Sequence, residues 1–312
     1  MKANLLWHTS PGNIDLTREE LEELGNDEIL IRTEYSFVSQ GTEKIINSGL
    51  VPVEIASDMK VPYMKGSFTL PCTYGYSLVG TVIDGPEELM GKVGHIMHPH
   101  QDKCVVKIKD FYCFTDQLQP KLGTLISNTE TAINALWDGQ PEKGSRILIV
   151  GMGSIGILTA LVLKAYGHKI YFSDVSAERS GDSIELGFLE LSEEKNFDLV
   201  YHTTATSAGL QQSIDLAGYE SRIVDLSWYG SRPVEIKLGT GFHYGRKKLI
   251  SSQVSHIPRA MSKDWDYKKR KDLAFDLVRE FPTITFEEIS FQQLSGSFSS
   301  LCSKKPFTII KY

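Results

Sequence analysis

Cysteine is scarce in this sequence. The four cysteines, Cys72, Cys104, Cys113 and Cys302, are widely spaced, and no CxxC pair occurs among them. Neither a disulfide framework nor a paired-cysteine zinc site therefore organises the chain. Such usage is typical of reduced thiols in a cytoplasmic protein, so we expect a cytoplasmic location.

Long apolar runs and an excess of basic residues are also missing. No apolar stretch approaches the roughly 20 residues that a membrane-spanning helix needs, and the N-terminal apolar stretch is too short for a signal peptide. The net charge is −6, from 33 Lys and Arg against 39 Asp and Glu. This balance does not supply the basic surface that nucleic-acid binding requires. We therefore expect neither nucleic acid nor a membrane as a partner.

The most informative stretch is a glycine-rich turn near the middle of the chain. The apolar run Ile147–Val150 ends in Gly151-x-Gly153-x-x-Gly156; an apolar helical pattern and a second β-rich run ending in Asp174 follow. The first glycine permits the tight turn, the second lets a pyrophosphate approach the backbone, and the third lets the helix pack closely on the strand. Together these parts predict a dinucleotide-binding unit; the alternative is a glycine-rich turn in another parallel α/β unit.

The same unit also indicates which dinucleotide binds. Ser154 and Ile155 begin the helix, whose free N–H groups can bind the phosphates. A carboxylate at Asp174 can accept hydrogen bonds from the adenosine ribose and would repel a 2′-phosphate. We therefore expect NAD. NADP is less favoured, although Arg179 follows closely enough to bind a phosphate.

The sequence on either side of this unit differs in character. Up to about residue 118 it contains short β-rich runs separated by glycine and proline, which favours a barrel-like or sandwich fold. From about residue 120, strands and helices alternate, which is typical of a doubly wound parallel sheet. The final segment, from Phe286 to Tyr312, returns to strands and is expected to rejoin the first part. The predicted fold class is α/β, with a separate β-rich domain.

Three motifs resemble the medium-chain dehydrogenase/reductase superfamily. The run Gly75-Tyr-Ser-Leu-Val-Gly80-Thr-Val lies where that superfamily has G-H-E-x-x-G-x-V, and Thr131-Ala-Ile-Asn-Ala-Leu matches the helix beside the nicotinamide. The run Ser39-Gln-Gly-Thr-Glu43 lies where zinc-dependent members carry a cysteine ligand. The resemblance implies a GroES-like catalytic domain over residues 1–119 and 262–312 and a Rossmann domain over residues 120–261. It also implies a small-molecule substrate and a homodimer formed through the edge of the Rossmann sheet.

Shorter strings resemble particular subgroups of that superfamily. Four of them are similar to zinc-type alcohol dehydrogenase-like proteins of unassigned substrate: Val38-Ser-x-Gly-Thr-Glu, Asn134-Ala-Leu-Trp-Asp, Leu226-Ser-Trp-Tyr-Gly-x-Arg-Pro-Val and Ser251-Ser-Gln-Val. The Ser-x-Gly-Thr-Glu string also resembles the bacteriochlorophyllide a dehydrogenases, which oxidise a hydroxyethyl group on a tetrapyrrole.

The positions that would hold catalytic zinc in such relatives carry poor ligands here. By the resemblance these positions are Ser39, Tyr76 or Ser77, and Ser127. Zinc in proteins is bound by thiolate, imidazole or carboxylate. We therefore expect a zinc-independent protein.

One histidine-rich string leaves metal binding open. It reads His95-x-x-His98-x-His100-x-x-x-Cys104. In a strand, His98 and His100 would share a face. The alternative is that these histidines line the substrate cleft or lie in the core.

Further cofactor residues follow from the resemblance and from strand ends. By the resemblance, Thr131 is expected beside the nicotinamide, and Thr203 and Thr204 follow a strand where relatives bind the cofactor ribose. Ser227 and Ser252 end later strands at the carboxyl edge, where ligands bind in open α/β sheets.

The reaction also needs a group that handles one proton. The candidates are Ser39, Thr42, Glu43, Tyr76, His98 and His100. Histidine suits acid–base work because its pKa lies near neutral pH, so one interpretation is a relay from Ser39 or Thr42 through a histidine to solvent. The structural alternatives are hydroxyls that bond their own backbone, a glutamate that caps a helix, and a tyrosine packed in the core.

Two classes of function are compatible with these residues. The first is a zinc-independent, NAD(P)-dependent oxidoreductase acting on an alcohol/carbonyl pair or an activated alkene. The second is a non-catalytic NAD(H)-binding redox sensor or assembly protein on the same fold. A tetrapyrrole hydroxyethyl dehydrogenase is a narrower form of the first.

Overall fold

The computed structural model describes residues 1–294, 296–302 and 305–312, and the chain divides into two compact units. The first unit comprises Met1–Ser127, Ile284–Ser303 and Phe307–Tyr312; the second comprises Asn128–Thr283 and Lys304–Pro306. The domain boundaries expected from the sequence lie at residues 119 and 262. The compact units instead divide after Ser127 and after Thr283.

The N-terminal part of the first unit consists of short strands and two helices. They are β1 (Lys2–Ser10), β2 (Asn13–Glu20), β3 (Glu28–Phe37), α1 (Gln40–Asn47), β4 (Cys72–Thr73), β5 (Leu78–Asp84), β6 (Val93–Ile96), β7 (Lys103–Lys107), β8 (Tyr112–Cys113) and α2 (Pro120–Gly123). The β-rich character expected for this segment is present, and glycine and proline lie in several of the connections between its strands.

The second unit alternates strands and helices. They are α3 (Ile126–Gly139), β9 (Ile147–Val150), α4 (Ser154–Ala165), β10 (Ile170–Ser173), α5 (Ala177–Glu185), β11 (Leu189–Glu190), β12 (Phe197–His202), α6 (Ser207–Leu216), β13 (Ala217–Asp225), α7 (Gly241–Tyr244), β14 (Lys248–Ser251) and α8 (Tyr267–Arg279). All six strands run parallel, in the order β11-β10-β9-β12-β13-β14. The continuously apolar β9 is central and fully buried, as a strand covered on both faces must be.

The chain then returns to the first unit with β15 (Glu287–Ser290), β16 (Gly296–Ser297) and β17 (Thr308–Lys311). β17 pairs antiparallel with β3 and parallel with β15. One sheet has the order β15-β17-β3-β5-β6-β8, with β7 also paired to β3, and the other has the order β16-β2-β1-β4. The final strand therefore rejoins the first part, as expected. The predicted fold class, a β-rich domain with a doubly wound parallel sheet, is confirmed.

A close backbone approach explains the glycine inside β5. A Cβ atom at Gly80 would lie 2.4 Å from the carbonyl oxygen of Arg32 on β3. Beside this point, Ile31, Leu78 and Ile96 are buried in one apolar cluster. Any larger residue at Gly80 would push β3 and β5 apart.

The histidine-rich string does not form one strand. β6 ends at Ile96, and His98 and His100 follow in irregular backbone, where both are buried. Pro99 between them cannot donate to a strand ladder, which accounts for the early end of β6.

The charged segment at the start of α8 is only partly solvated. Asp266 caps the helix by accepting the backbone N–H of Lys269. Arg270, within this charged segment, is 4% exposed. It belongs to the buried face of α8 with Ala274 and Val278, one helical turn apart.

Among the described residues, no helix is both long enough and apolar enough to cross a bilayer.

Candidate functional site

In the glycine turn of the second unit, neighbouring atoms leave no room for a side chain at Gly151 and Gly156, whereas the space beside Gly153 is open. Gly151 has φ +100°, and a Cβ there would meet Thr203 and Thr204 within 2.8 Å. A Cβ at Gly156 would lie 1.9 Å from the carbonyl oxygen of Gly151. A Cβ at Gly153 would meet no atom within 4 Å. The turn is therefore packed on the side of the sheet and open at the start of α4, where a phosphate can approach.

The start of α4 has no side-chain cap. Gly153 is the N-cap residue, and no acidic residue lies in the first turn, which contains Ser154 and Ile155. The first N–H groups of a helix have no partner within it, and the helix dipole favours an anion there. These residues can hold the pyrophosphate of a dinucleotide, so the open position at Gly153 fits that group.

Asp174 follows β10 and is tied to the glycine turn. Its Oδ2 accepts the backbone N–H of Met152 at 2.6 Å, and its Oδ1 accepts the N–H of Ser176 at 2.7 Å. The guanidinium of Arg179 binds both oxygens, at 3.1 and 2.7 Å. Burial raises the pKa of Asp174, but these hydrogen bonds outweigh it and the pKa lies below its usual value. The carboxylate is ionised and orients the turn.

Thr203 and Thr204 lie directly against that turn. The hydroxyl of Thr203 donates to the carbonyl oxygen of Gly151 at 2.7 Å. The hydroxyl of Thr204 contacts Nε2 of His202 at 2.7 Å. The structure thus brings both predicted threonines next to Gly151.

The hydroxyls of Ser227 and Ser252, the predicted serines at the ends of later strands, both form hydrogen bonds within the protein. The hydroxyl of Ser227 accepts the N–H of Ala205 at 3.0 Å. The hydroxyl of Ser252 donates to Asp138 on α3 at 2.7 Å. Thr131 lies in the same helix, half-buried. Of these residues, Ser227 lies nearest the loop after β12.

In the first unit, Ser39 and Tyr76 form a hydroxyl pair. The Tyr76 hydroxyl donates to Ser39 Oγ at 2.5 Å, and Ser39 Oγ lies 3.5 Å from the Thr42 hydroxyl. Burial raises the pKa of Tyr76 to about 12, so the phenol keeps its proton at neutral pH. The pair contains a proton donor that does not depend on a metal.

Glu43 and His100 form a second, fully buried cluster. Nε2 of His100 lies 3.3 Å from both Glu43 carboxylate oxygens, and Nδ1 lies 2.7 Å from Ser36 Oγ. Burial would raise the pKa of Glu43, but the histidine rings and the Ser39 N–H hold it below its usual value. Glu43 accepts the backbone N–H of Ser39 at 2.8 Å, and an amide does not pass a proton on. Of the two starting points proposed for a relay, Ser39 is linked to His100 here through its backbone amide and Glu43, a path that does not carry a proton.

His98 lies apart from both clusters. Its Nδ1 donates to the carbonyl oxygen of Pro99 at 2.8 Å, and its ring stacks on Tyr63 with centroids 5.0 Å apart. Burial lowers the pKa of His98 to about 4, so the ring is neutral at physiological pH. A neutral ring is a poor general acid.

The positions expected to carry zinc ligands offer donors that do not fit zinc. Ser77 and Ser127 both contact Nε2 of His95 at 3.0 Å, and Ser127 donates to the carbonyl oxygen of Tyr76. Ser39 instead accepts the hydroxyl of Tyr76. The side chains at these positions are hydroxyl groups, whereas zinc is bound by several thiolate, imidazole or carboxylate ligands. Among the described residues, no three His, Cys, Asp or Glu side chains form a metal-binding group.

The fold matches those of solved dehydrogenases. Acetophenone reductase from Geotrichum candidum NBRC 4597, in complex with NAD, has a TM-score of 0.77 at 15% identity, covering 100% of this chain and 97% of that one. A dehydrogenase from Sinorhizobium meliloti 1021, described as zinc-binding and bound to NADP, has a TM-score of 0.76 at 16% identity, covering 100% of both chains. This chain shares the fold of these two dehydrogenases.

Sequence similarity to curated proteins is more limited than the similarity of fold. Sorbitol dehydrogenase from Rattus norvegicus is 28% identical over 117 residues, which are 36% of this chain and 33% of that protein. The match thus spans about a third of that curated relative. No family model matches the chain.

Two groups of residues in the second unit were not identified from the sequence. The first is His202 with Asp225, which face each other across β12 and β13. A histidine at the end of an apolar strand, just before two predicted cofactor threonines, was the available signal. The second is Arg270 with Glu130, for which the spacing of Arg270 from Ala274 and Val278 was the signal.

Proposed function

We propose that this protein is a zinc-independent, NAD-dependent oxidoreductase acting on a small alcohol/carbonyl pair or an activated alkene. The observation that carries the proposal is the glycine turn, which is closed at Gly151 and Gly156 and open at Gly153. The nicotinamide, when bound, supplies or accepts the hydride. The fold shared with known dehydrogenases supports this reaction class.

NAD is proposed over NADP because of the partners of Asp174. Its carboxylate lies where adenosine ribose hydroxyls are bound in dinucleotide folds. Arg179 already binds both carboxylate oxygens, at 2.7 and 3.1 Å. A 2′-phosphate would therefore have to take Arg179 away from Asp174.

For the proton, we propose the pair of Tyr76 and Ser39. Tyr76 donates its hydrogen bond to Ser39 Oγ. Ser39 Oγ in turn donates to the Thr42 hydroxyl at 3.5 Å, a long hydrogen bond that a substrate oxygen can replace as the acceptor. The high pKa of Tyr76 keeps that donor in place at neutral pH. Glu43 and His100 then hold the Ser39 backbone in position rather than carrying the proton.

A non-catalytic NAD(H)-binding protein is the second candidate. The observation that favours it is the replacement of every expected zinc ligand by a hydroxyl, which is compatible with a new mechanism or with loss of activity. Both candidates share the dinucleotide site and differ only in turnover.

The decisive experiment is a tryptophan-fluorescence titration with NADH and NADPH. It is followed by single-turnover oxidation of bound NADH against a panel of carbonyls, activated alkenes and quinones. We expect tighter binding of NADH than NADPH and turnover with at least one acceptor. Tight NADH binding without turnover would favour the sensor. The zinc-independent mechanism fails if metal analysis of protein purified without a metal-affinity tag finds one zinc per chain.

We also propose a homodimer through the edge of the parallel sheet. β14 is the edge strand next to β13, and Leu249 on it is 41% exposed. An open edge with an exposed apolar side chain is a template for pairing with a second copy. Sedimentation should give a dimer that Leu249→Lys weakens. A monomeric wild-type protein at micromolar concentration would contradict this.

Two further expectations remain predictions from the sequence. One is a cytoplasmic location, which rests on cysteine usage. The other is a tetrapyrrole substrate, which rests on the short Ser-x-Gly-Thr-Glu string.

A further inference from the structure

A buried histidine lies between a carboxylate and a hydroxyl at the carboxyl edge of the parallel sheet. His202 ends β12 and is 0% exposed. Its Nδ1 lies 2.9 Å from Asp225 Oδ1, and its Nε2 lies 2.7 Å from Thr204 Oγ. Both ring nitrogens are thus engaged, and the two strands place these groups at one end of the sheet.

The surroundings of Asp225 fix the position of the imidazole proton. Its Oδ1 accepts the N–H of Ser227 and its Oδ2 accepts the hydroxyl of Tyr229, each at 2.9 Å. An ionised carboxylate only accepts hydrogen bonds, so Nδ1 of His202 must donate to it. In the neutral ring Nε2 is then an acceptor, and the Thr204 hydroxyl donates to Nε2.

The same donor-to-acceptor order extends from His202 through Thr204 to the exposed Thr206. Thr204 Oγ lies 2.8 Å from Thr206 Oγ, and Thr206 is exposed. Because the Thr204 hydroxyl donates its hydrogen bond to His202, the Thr206 hydroxyl must be the donor between the two threonines. Thr206 Oγ also accepts the N–H of Gly209 at 3.1 Å. One lone pair of Thr206 Oγ is not used by these two contacts, and Thr206 is exposed, so the residue can offer an acceptor at the surface.

The chain of hydroxyls lies against the glycine turn. A Cβ at Gly151 would come within 2.7 Å of the Thr204 methyl group. A Cβ at Gly209 would lie 2.1 Å from Thr204 Oγ and 3.0 Å from Nε2 of His202. Glycine at both positions allows the threonines to sit directly beside the proposed dinucleotide site.

We propose that Asp225 and His202 are positioning residues that point the hydroxyls of Thr204 and Thr206 inward, so that Thr206 Oγ accepts a hydrogen bond from a hydroxyl or amide donor of the bound dinucleotide. The inference rests on the proposed binding of a dinucleotide and adds Thr206 to the residues that contact it. Asp225 acts at a distance, through the tautomer of a buried ring.

The test replaces Asp225 or Thr206, the residues at the two ends of this series of hydrogen bonds. Without Asp225, the hydroxyls of Ser227 and Tyr229, 3.2 and 3.3 Å from Nδ1, can donate to it and move the proton to Nε2. Asp225→Ala should therefore change the His202 tautomer, seen by NMR of isotopically labelled histidine, and weaken NADH binding about threefold to tenfold. Asp225→Asn, whose carbonyl can replace Oδ1, should restore both.

Two substitutions of Thr206, one that removes the hydroxyl and one that keeps it, test the contact directly. Thr206→Val should weaken NADH binding by the same about threefold to tenfold, whereas Thr206→Ser, which keeps the hydroxyl, should not. Thermal unfolding of each variant separates loss of affinity from loss of structure. Equal NADH affinity in wild type and a folded Thr206→Val, or an unchanged tautomer in Asp225→Ala, overturns this inference alone. A wild-type protein that binds no dinucleotide overturns the proposed function and this inference with it.

Discussion

Gly153→Ala should leave the protein folded and weaken NADH binding by at least about tenfold. The backbone at Gly153 has φ −72° and ψ −174°, which alanine adopts without strain. The new methyl group would meet no protein atom within 4 Å, so the free energy of unfolding should change by about 1 kcal/mol or less. The methyl group would instead occupy the space through which a pyrophosphate approaches the start of α4. Tryptophan fluorescence measures the affinity, and circular dichroism the fold.

Two other glycines make this experiment selective. Gly181→Ala in α5 also adds a methyl group in open space, within a helix far along the sequence from the turn. It should leave NADH affinity unchanged. Gly156→Ala, by contrast, places a Cβ 1.9 Å from the Gly151 carbonyl oxygen and should reduce both affinity and stability. Unaltered NADH binding by Gly153→Ala would show that the phosphates lie elsewhere.

Arg270→Met should lower the free energy of unfolding by about 3–5 kcal/mol. The guanidinium is buried and donates to three groups: Glu130 Oε1 at 3.1 Å, Asn134 Oδ1 at 2.8 Å and the carbonyl oxygen of Val254 at 2.8 Å. Methionine fills much of the same volume but leaves the Glu130 carboxylate buried without its cation. Chemical denaturation followed by tryptophan fluorescence measures the loss, because Trp137 and Trp265 pack 5.0 Å apart in the same unit.

A double variant and a surface control identify the cause. Glu130→Leu combined with Arg270→Met leaves no unpaired charge and should recover a large part of the loss. Arg246→Ala breaks an ion pair with Glu220 that is largely exposed, so its effect on stability should be much smaller. If Arg270→Met is no more destabilising than Arg246→Ala, the buried network does not support this unit.

Patterns local in sequence were sufficient for the fold. The apolar run at β9 and the spacing of Gly151, Gly153 and Gly156 predicted the strand, turn and helix, because each requirement is met within a few residues. The alternation of strands and helices after residue 120 predicted the parallel sheet for the same reason. Ser39 and Tyr76 were singled out because the resemblance places zinc ligands at their positions. In the structure, the Tyr76 hydroxyl lies 2.5 Å from Ser39 Oγ.

Contacts between distant segments could not be predicted in this way. From the sequence, a relay from a hydroxyl through a histidine was possible. The structure shows that Glu43 of α1 contacts both His100 and the backbone N–H of Ser39, and a single sequence does not predict that these three residues meet. A charged run at the start of α8 resembles any solvated helix, yet Arg270 is buried because its face packs on α3.

By itself, the sequence determined that this protein has a glycine turn suited to a dinucleotide and hydroxyl-bearing residues at the positions where the resemblance would place zinc ligands. The tertiary structure alone decided which groups surround that turn. His202 and Asp225 are well separated in the chain, and they meet because β12 and β13 are parallel neighbours whose carboxyl ends lie at the same edge of the sheet. Hydrogen bonds between strand ends depend on strand order and register, which a single sequence does not specify.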